Sequence, residues 1–304
     1  MRLTATISDI SRCSVHDGPG VRTVVYFKGC PLSCLWCHNP EAIGKGLTLM
    51  HLENKCIDCG RCLSLCPSHT VKDGVHTVDF ESCRALGKCA DACPSGALRL
   101  VGEEITVPAL LARVMKDKPY YDTSGGGVTL SGGECLLQAE FCEAFLRACK
   151  ENGIHIAIES ALYVPYGSIE RVLPHTDLIY ADLKLATPQR HLTYTGRDNA
   201  RILENLTRLS HTEKSVIVRI PLIPSVNDTE EEQSALASVL LSLGEAVREV
   251  ELLRYNPFAE GKYRAVGRNY TAFAPEGQTD AEMESFCKRL TEKIGARYPV
   301  TFTR

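Results

Sequence analysis

Cys30, Cys34 and Cys37 stand close together in the run Lys28-Gly29-Cys30-Pro31-Leu32-Ser33-Cys34-Leu35-Trp36-Cys37-His38-Asn39-Pro40. The spacing puts three thiolates in one short loop. A [4Fe–4S] cluster ordinarily takes four cysteines. Three ligands with no evident fourth leave one iron open, and an open coordination position is where a metal does chemistry. The competing reading is a structural zinc site. Further along, Cys56-x2-Cys59-x2-Cys62-x3-Cys66-Pro67 has bacterial ferredoxin spacing and its trailing proline. Cys83-x5-Cys89-x3-Cys93-Pro94 aligns with that run but carries Leu86 where a cysteine is expected. In two-cluster ferredoxins the last cysteine of each run serves the other cluster. By that swap Cys56, Cys59, Cys62 and Cys93 hold one cluster. Cys66, Cys83 and Cys89 hold a second that is one ligand short, either [3Fe–4S] or [4Fe–4S] with a non-cysteine ligand. Cys13 is a weak candidate for the missing one.

These runs fill an insert, residues 50–101, built as a pseudo-repeat of about 27 residues. So short a segment buries little core, and the clusters must hold it folded. The remainder, 1–49 and 102–304, alternates strand and helix signals. Residues 21–27, 127–130, 154–158, 178–183, 215–220 and 250–253 are apolar runs bounded by turns, and 74–79 reads as a small strand in the insert. Helices are expected over 107–116 with Thr106 as cap, over 139–151 ending at Asn152-Gly153, over 199–209, and from near Thr229. This alternation implies an α/β fold with a parallel sheet and its site at the C-terminal strand ends. Glu134, Glu159, Ser160, Asp182, Lys184 and Arg219 all fall at such ends.

The chain has 304 residues, 44% of them hydrophobic, a formal charge of −3 and 15 cysteines. That composition supports a sizeable core and points to neither nucleic acid nor an anionic membrane. No stretch approaches the roughly 18 apolar residues of a membrane span. With no apolar leader, the expected location is cytoplasmic, and a reducing compartment suits so many free thiols. Cys135, Cys142, Cys149 and Cys287 read as core packing.

The cysteine loop resembles that of the radical S-adenosylmethionine superfamily. His16-Asp17-Gly18-Pro19-Gly20-Val21-Arg22, Ser124 to Glu134 and Asp182-Leu183-Lys184 make the resemblance specific. The chain resembles the glycyl-radical-enzyme activating enzymes, in the branch with a ferredoxin-type insert. The resemblance implies an incomplete parallel (β/α)6 barrel carrying a small two-cluster ferredoxin-like domain. It implies reductive cleavage of S-adenosylmethionine at the Cys30–Cys34–Cys37 cluster. The 5′-deoxyadenosyl radical would then take hydrogen from a backbone glycine of a partner enzyme. Trp36 and Asn256 would lie by the adenine, Asn256 standing where a histidine is common. Gly132, Gly133 and Glu134 would hold the cofactor's ammonium. Lys184 would pair with its carboxylate, and Asp182 would lie near the ribose. Glu159 and Ser160 would flank a monovalent cation, and Arg219 would reach the cofactor or a bound loop. Asp17 and Arg22 would meet the partner. The electron donor implied is flavodoxin or ferredoxin. Two rivals are an enzyme of the same superfamily acting on a small molecule or peptide, and a pure electron-transfer protein.

Overall fold

The structure is a computed structural model describing residues 3–302, so the outermost residues of the expected 1–49 and 102–304 segment lie outside the described residues. Its strands are β1 (Thr4–Ser14), β2 (Arg22–Phe27), β3 (Thr48–His51), β4 (His69–Lys72), β5 (Val75–Val78), β6 (Leu98–Val101), β7 (Glu103–Thr106), β8 (Gly127–Gly132), β9 (His155–Ser160), β10 (Leu178–Asp182), β11 (Ser215–Pro221), β12 (Val247–Leu253) and β13 (Val300–Phe302). Nine of them form one sheet in the order β13-β12-β11-β10-β9-β8-β2-β1-β7. From β2 through β13 every pairing in it is parallel; β1 and β7 add an antiparallel margin beside β2.

Parallel strands covered by helices are buried on both faces, and the sequence provides for that. Val24, Val25, Val128, Leu130, Ile156, Ala157, Val218 and Ile220 are all essentially inaccessible. One large apolar core joins these strands to the helices Val107–Val114, Ala139–Glu151, Ala200–Ser210, Glu230–Ser242 and Asp280–Lys293. The expected cap at Thr106 operates, and Thr229 caps its own helix in the same way. Thr106 Oγ1 accepts from the Ala109 N–H at 3.4 Å, and Thr229 Oγ1 from the Glu232 N–H at 3.3 Å. Among the described residues no helix is long and apolar enough to cross a membrane.

Residues 48–101 leave and rejoin the main body through a two-stranded stem in which β3 pairs antiparallel with β6, Thr48 opposite Val101. Beyond it β4 and β5 form a hairpin whose turn, Asp73-Gly74, has φ of 51° and 79° at its two residues. Both values are positive, as a type I′ turn requires. The apolar cluster here is small: Leu49, Cys89 and Leu98, with Cys62, Val78, Cys83, Ala90 and Cys93 against it. Four of those eight residues are cysteines, so little ordinary hydrophobic core supports the segment.

Candidate active site

The C-terminal ends of β2, β8, β9, β10, β11 and β12 converge on one cavity of about 450 Å³. Its lining includes Asp17, Cys30, Cys34, Trp36, Cys37, Gly132, Gly133, Glu159, Asp182, Lys184, Arg219 and Asn256. Residues more than two hundred positions apart are thus brought together by parallel strands that all end on the same side. Gly132 and Gly133 have a further reason to be glycine. A Cβ on Gly132, where φ is +115°, would lie 2.3 Å from the Phe27 nitrogen, and one on Gly133 would lie 2.3 Å from the Gly29 carbonyl oxygen. The end of β8 can therefore approach the start of the cysteine loop only without side chains.

That loop is held from outside its own sequence. The Ser33 N–H donates to the Thr195 carbonyl at 2.8 Å and the Leu35 N–H to that of Tyr194 at 3.0 Å. The Tyr263 hydroxyl donates to the Cys34 carbonyl at 3.3 Å, and the His38 imidazole meets the Asn256 carbonyl at 2.9 Å. Lys262 Nζ reaches Asn39 Oδ1 at 2.9 Å and Glu41 Oε1 at 2.8 Å. Trp36 is buried, its ring centroid 6.0 Å from that of Phe273 and 6.3 Å from that of Tyr194. Sequence reasoning finds the loop but not these anchors. Their roles are contacts with the loop, and no local spacing signals such contacts.

The floor is polar. Lys184 Nζ donates to Asp182 Oδ2 at 2.8 Å; β10 ends at Asp182, so Lys184 comes from the segment just past the strand, yet it lies on the same side. Burial pulls the Lys184 pKa down, but Asp182 and the nearby Cys34 outweigh it and the ammonium is held firmly charged. Arg219 pairs with Glu159, donates to Glu251 Oε2 at 2.6 Å, and lies 3.6 Å over the Tyr180 ring. Burial acts to weaken its charge; the two carboxylates more than restore it. Ser131 Oγ donates to Glu159 Oε2 at 2.6 Å.

Several expected contacts are placed differently. Arg22, expected to meet a partner, is 0% exposed. Its guanidinium donates to Thr129 Oγ1 and the Val128 carbonyl, both at 2.6 Å, and to the Pro19 carbonyl at 3.1 Å. It fixes the 16–20 loop to β8 from inside; Asp17 of the same loop does reach the cavity. Glu134, expected at the cofactor's ammonium, and Ser160, expected beside a cation, are buried and do not line the cavity. The Glu134 carboxylate accepts from Ser160 Oγ at 3.0 Å, the Ala161 N–H at 2.9 Å and the Leu136 N–H at 3.2 Å. Burial nonetheless pushes its pKa up to about 7. Glu159, expected beside a cation, pairs with Arg219, which it shares with Glu251. Asn256 turns its side-chain oxygen to the Phe258 N–H at 2.9 Å while still lining the cavity.

The donor set fits an iron–sulfur cluster better than a single ion. Burial pushes the Cys34 thiol up to about 12 and raises Cys30 and Cys37 as well. Such thiols become thiolates only with positive charge beside them, and metal binding supplies it. Among the described residues, the trios close enough to share one ion are His51–Cys56–His76 and Cys62–His69–His76; Cys30, Cys34 and Cys37 do not make one. A multi-iron cluster tolerates that wider separation. In residues 48–101, Cys56, Cys59, Cys62 and Cys93 line one cavity of about 140 Å³. Cys89 is buried, with Cys66 and Cys83 near enough to raise its pKa further. Leu86 is 76% exposed and offers nothing to that second trio. Cys13 stands on β1 of the main sheet, exposed.

A family model described as a 4Fe-4S single cluster domain matches residues 16–203. The chain is 40% identical to the (2S)-3-sulfopropanediol dehydratase activating enzyme of Klebsiella oxytoca, over 87% of this chain and 86% of that one. It is 38% identical to the choline trimethylamine-lyase activating enzyme of Oleidesulfovibrio alaskensis, over 92% and 93%. A radical SAM methyltransferase from Sphaerobacter thermophilus shares the fold, with a TM-score of 0.54 over 98% of this chain and 76% of that one at 14% identity. With three half-buried thiols over a polar cavity and identity of this extent along nearly the whole chain, the protein belongs to the radical S-adenosylmethionine activating enzymes of glycyl radical enzymes.

Proposed function

We propose that the cavity at the strand ends binds S-adenosylmethionine against the Cys30–Cys34–Cys37 loop, and that the chain thereby activates a partner glycyl radical enzyme. The chemistry supplied by the bound groups is one-electron cleavage of S-adenosylmethionine at the [4Fe–4S] cluster and hydrogen abstraction from a backbone glycine of the partner. The chain's own residues bind and orient. Cys30, Cys34 and Cys37 hold the cluster as thiolates. Lys184 takes the cofactor's carboxylate, and the bare backbone at Gly132 and Gly133 lets its ammonium approach the carbonyls. Trp36 and the Asn256 segment border the adenine, and Asp182 the ribose. Arg219, locked by Glu159 and Glu251, keeps the floor rigid, and its single positive charge against two carboxylates leaves a place for a monovalent cation beside Glu159. Glu134 and Ser160 act one layer back, by fixing the strand ends that carry these groups. Asp17 faces the incoming partner loop. The observation carrying this reading is the convergence of three thiols, the Lys184–Asp182 pair and the glycine backbone on one cavity.

The six strands β2 and β8–β12, with the helix Val107–Val114 that leads into β8 and the helices that follow β8–β12, make up the incomplete (β/α)6 barrel. Residues 50–101 form a two-cluster ferredoxin-like insert. Cys56, Cys59, Cys62 and Cys93 hold one cluster, and Cys66, Cys83 and Cys89 a second with three cysteines. The insert takes electrons from flavodoxin or ferredoxin in the cytoplasm. The test is anaerobic mixing with a panel of glycyl radical enzymes, read by electron paramagnetic resonance. A glycyl radical on one partner supports the reading. Formation of 5′-deoxyadenosine with no radical on any partner would favour a small-molecule or peptide substrate. No cleavage at all would favour pure electron transfer.

A further inference from the structure

The β4–β5 hairpin buries two histidines, His69 and His76, at 4% and 5% exposure. Histidines so fully enclosed need partners for their ring nitrogens. For His76 those partners include sulfur. His76 lines the cavity shared by Cys56, Cys59, Cys62 and Cys93. Its Nε2 lies 3.3 Å from Cys62 Sγ, and its Nδ1 lies 3.7 Å from Cys56 Sγ. The ring is clamped on both sides. His69 Nδ1 is 2.9 Å from His76 Nε2, and His51 Nε2, from the stem strand β3, is 3.2 Å from His76 Nδ1. The His69 and His76 rings stack with centroids 5.1 Å apart; the His51 ring stands edge-on at 4.6 Å.

We infer that His76 is the hydrogen-bond donor that sets the reduction potential of the insert's four-cysteine cluster, with His51 and His69 as positioning residues for its ring. The inference rests on the proposal that Cys56, Cys59, Cys62 and Cys93 hold that cluster. A neutral imidazole carries one N–H, and its other nitrogen accepts. Here each ring nitrogen faces one ligating sulfur and one further imidazole, so in either tautomer the N–H has a sulfur within reach, and it goes to the sulfur where the histidine beside it presents its own N–H. A donor to a ligating sulfur favours the more negative, reduced cluster and raises its potential. Four thiols already complete the cluster's ligand set, which leaves the imidazole the outer role.

The test uses the reconstituted full-length protein under anaerobic conditions, with redox titration followed by electron paramagnetic resonance. His76→Phe should lower the midpoint potential of one insert cluster while iron and sulfide content stay as in the unmutated protein. His76→Gln, which keeps an N–H donor, should recover part of the shift. The potential of the Cys30–Cys34–Cys37 cluster should not move. An unmoved insert potential in His76→Phe at full iron content would overturn the inference. So would loss of one cluster's iron from both variants, because His76 would then be a ligand. Should the phenylalanine variant fail to fold, the unmutated protein labelled with heavy-nitrogen histidine decides the matter. Weak nitrogen coupling to a reduced insert cluster is expected; no coupling, or coupling of a directly bound nitrogen, would refute it. Metal analysis of the unmutated protein and of Cys56→Ala separates the underlying reading. Zinc in place of iron in the insert, or no iron lost from Cys56→Ala, would remove the four-cysteine cluster itself.

Discussion

Replacing Lys184 with methionine deletes the ammonium and keeps most of the side chain's length. Lys184 is 14% exposed and its partner Asp182 26%, both on the cavity wall. A hydrogen bond to a charged group is worth about 1.5–3 kcal/mol, or roughly ten- to hundredfold in dissociation constant. Two features place the expected loss toward the upper part of that range. Water has little access to the Lys184 position and cannot take over its role. Asp182 is left without its partner and faces the carboxylate that Lys184 had held, adding like-charge repulsion. The double variant Lys184→Met/Asp182→Asn should therefore bind S-adenosylmethionine more tightly than Lys184→Met alone, though more weakly than the unmutated protein. Titration calorimetry on anaerobically reconstituted protein measures both. Iron content must match across the set, because Cys34 is close enough to influence the Lys184 charge. Unchanged affinity in Lys184→Met would show that the ammonium serves only Asp182, and the assignment of the carboxylate end would fall with it.

Cys30→Ala, Cys34→Ala and Cys37→Ala should each abolish cleavage of S-adenosylmethionine while the iron held by residues 50–101 is retained; activity in any one of them would remove the three-thiolate centre. Arg22→Met leaves the Val128 and Pro19 carbonyls without their buried donor, at about 1–3 kcal/mol for an unsatisfied group, so the urea midpoint should fall and the 16–20 loop should exchange its amides faster. Glu134 has a folded pKa raised to about 7 from 4.5, so the folded state binds the proton more tightly. Its contribution to stability is full below pH 4.5, declines as pH rises toward 7, and totals about 3 kcal/mol at 1.36 kcal/mol per pH unit; denaturation of Glu134→Gln across that window should lack this decline. Cysteine-to-alanine changes in the insert should slow activation by a protein reductant more than by a small chemical one; equal losses would assign the insert a structural or docking role.

Where one element's identity is written in its own residues, sequence reading locates it closely. The β-branched run 21–27 becomes β2, Thr106 caps its helix as its hydroxyl predicts, the helix expected from near Thr229 begins at Glu230, and the helix over 139–151 is found at those bounds. Chemistry that needs clustered cysteines is legible for the same reason. What stays hidden is whatever a distant neighbour decides. The helix Pro188–Thr195 is a short, polar segment whose last residues matter because they receive the cysteine loop's N–H groups. Arg22 reads as a surface contact until Thr129 and the Val128 carbonyl are seen to enclose it. His51, His69 and His76 are spaced by 18 and 7 residues, a pattern of no known ligand motif, and only the stem and the hairpin bring their rings together.

Glu134 shows how the same motif divides its labour. In Ser131-Gly132-Gly133-Glu134 the acidic residue looks like the group that meets a cofactor's ammonium. The structure turns it away from the cavity, where its carboxylate joins the Leu136 N–H just after β8 to the Ser160 hydroxyl and Ala161 N–H at the end of β9. One buried carboxylate thus binds two neighbouring strand ends. The cost of burying it shows in its raised pKa, and three donors offset part of that cost. The side of the motif that faces the cavity is backbone at Gly132 and Gly133, and those carbonyls stay in register only while the strand ends beneath them do. A charge set behind the wall can therefore govern the geometry of a neutral wall in front, and the spacing of residues along the sequence gives no sign of which of the two a carboxylate will be.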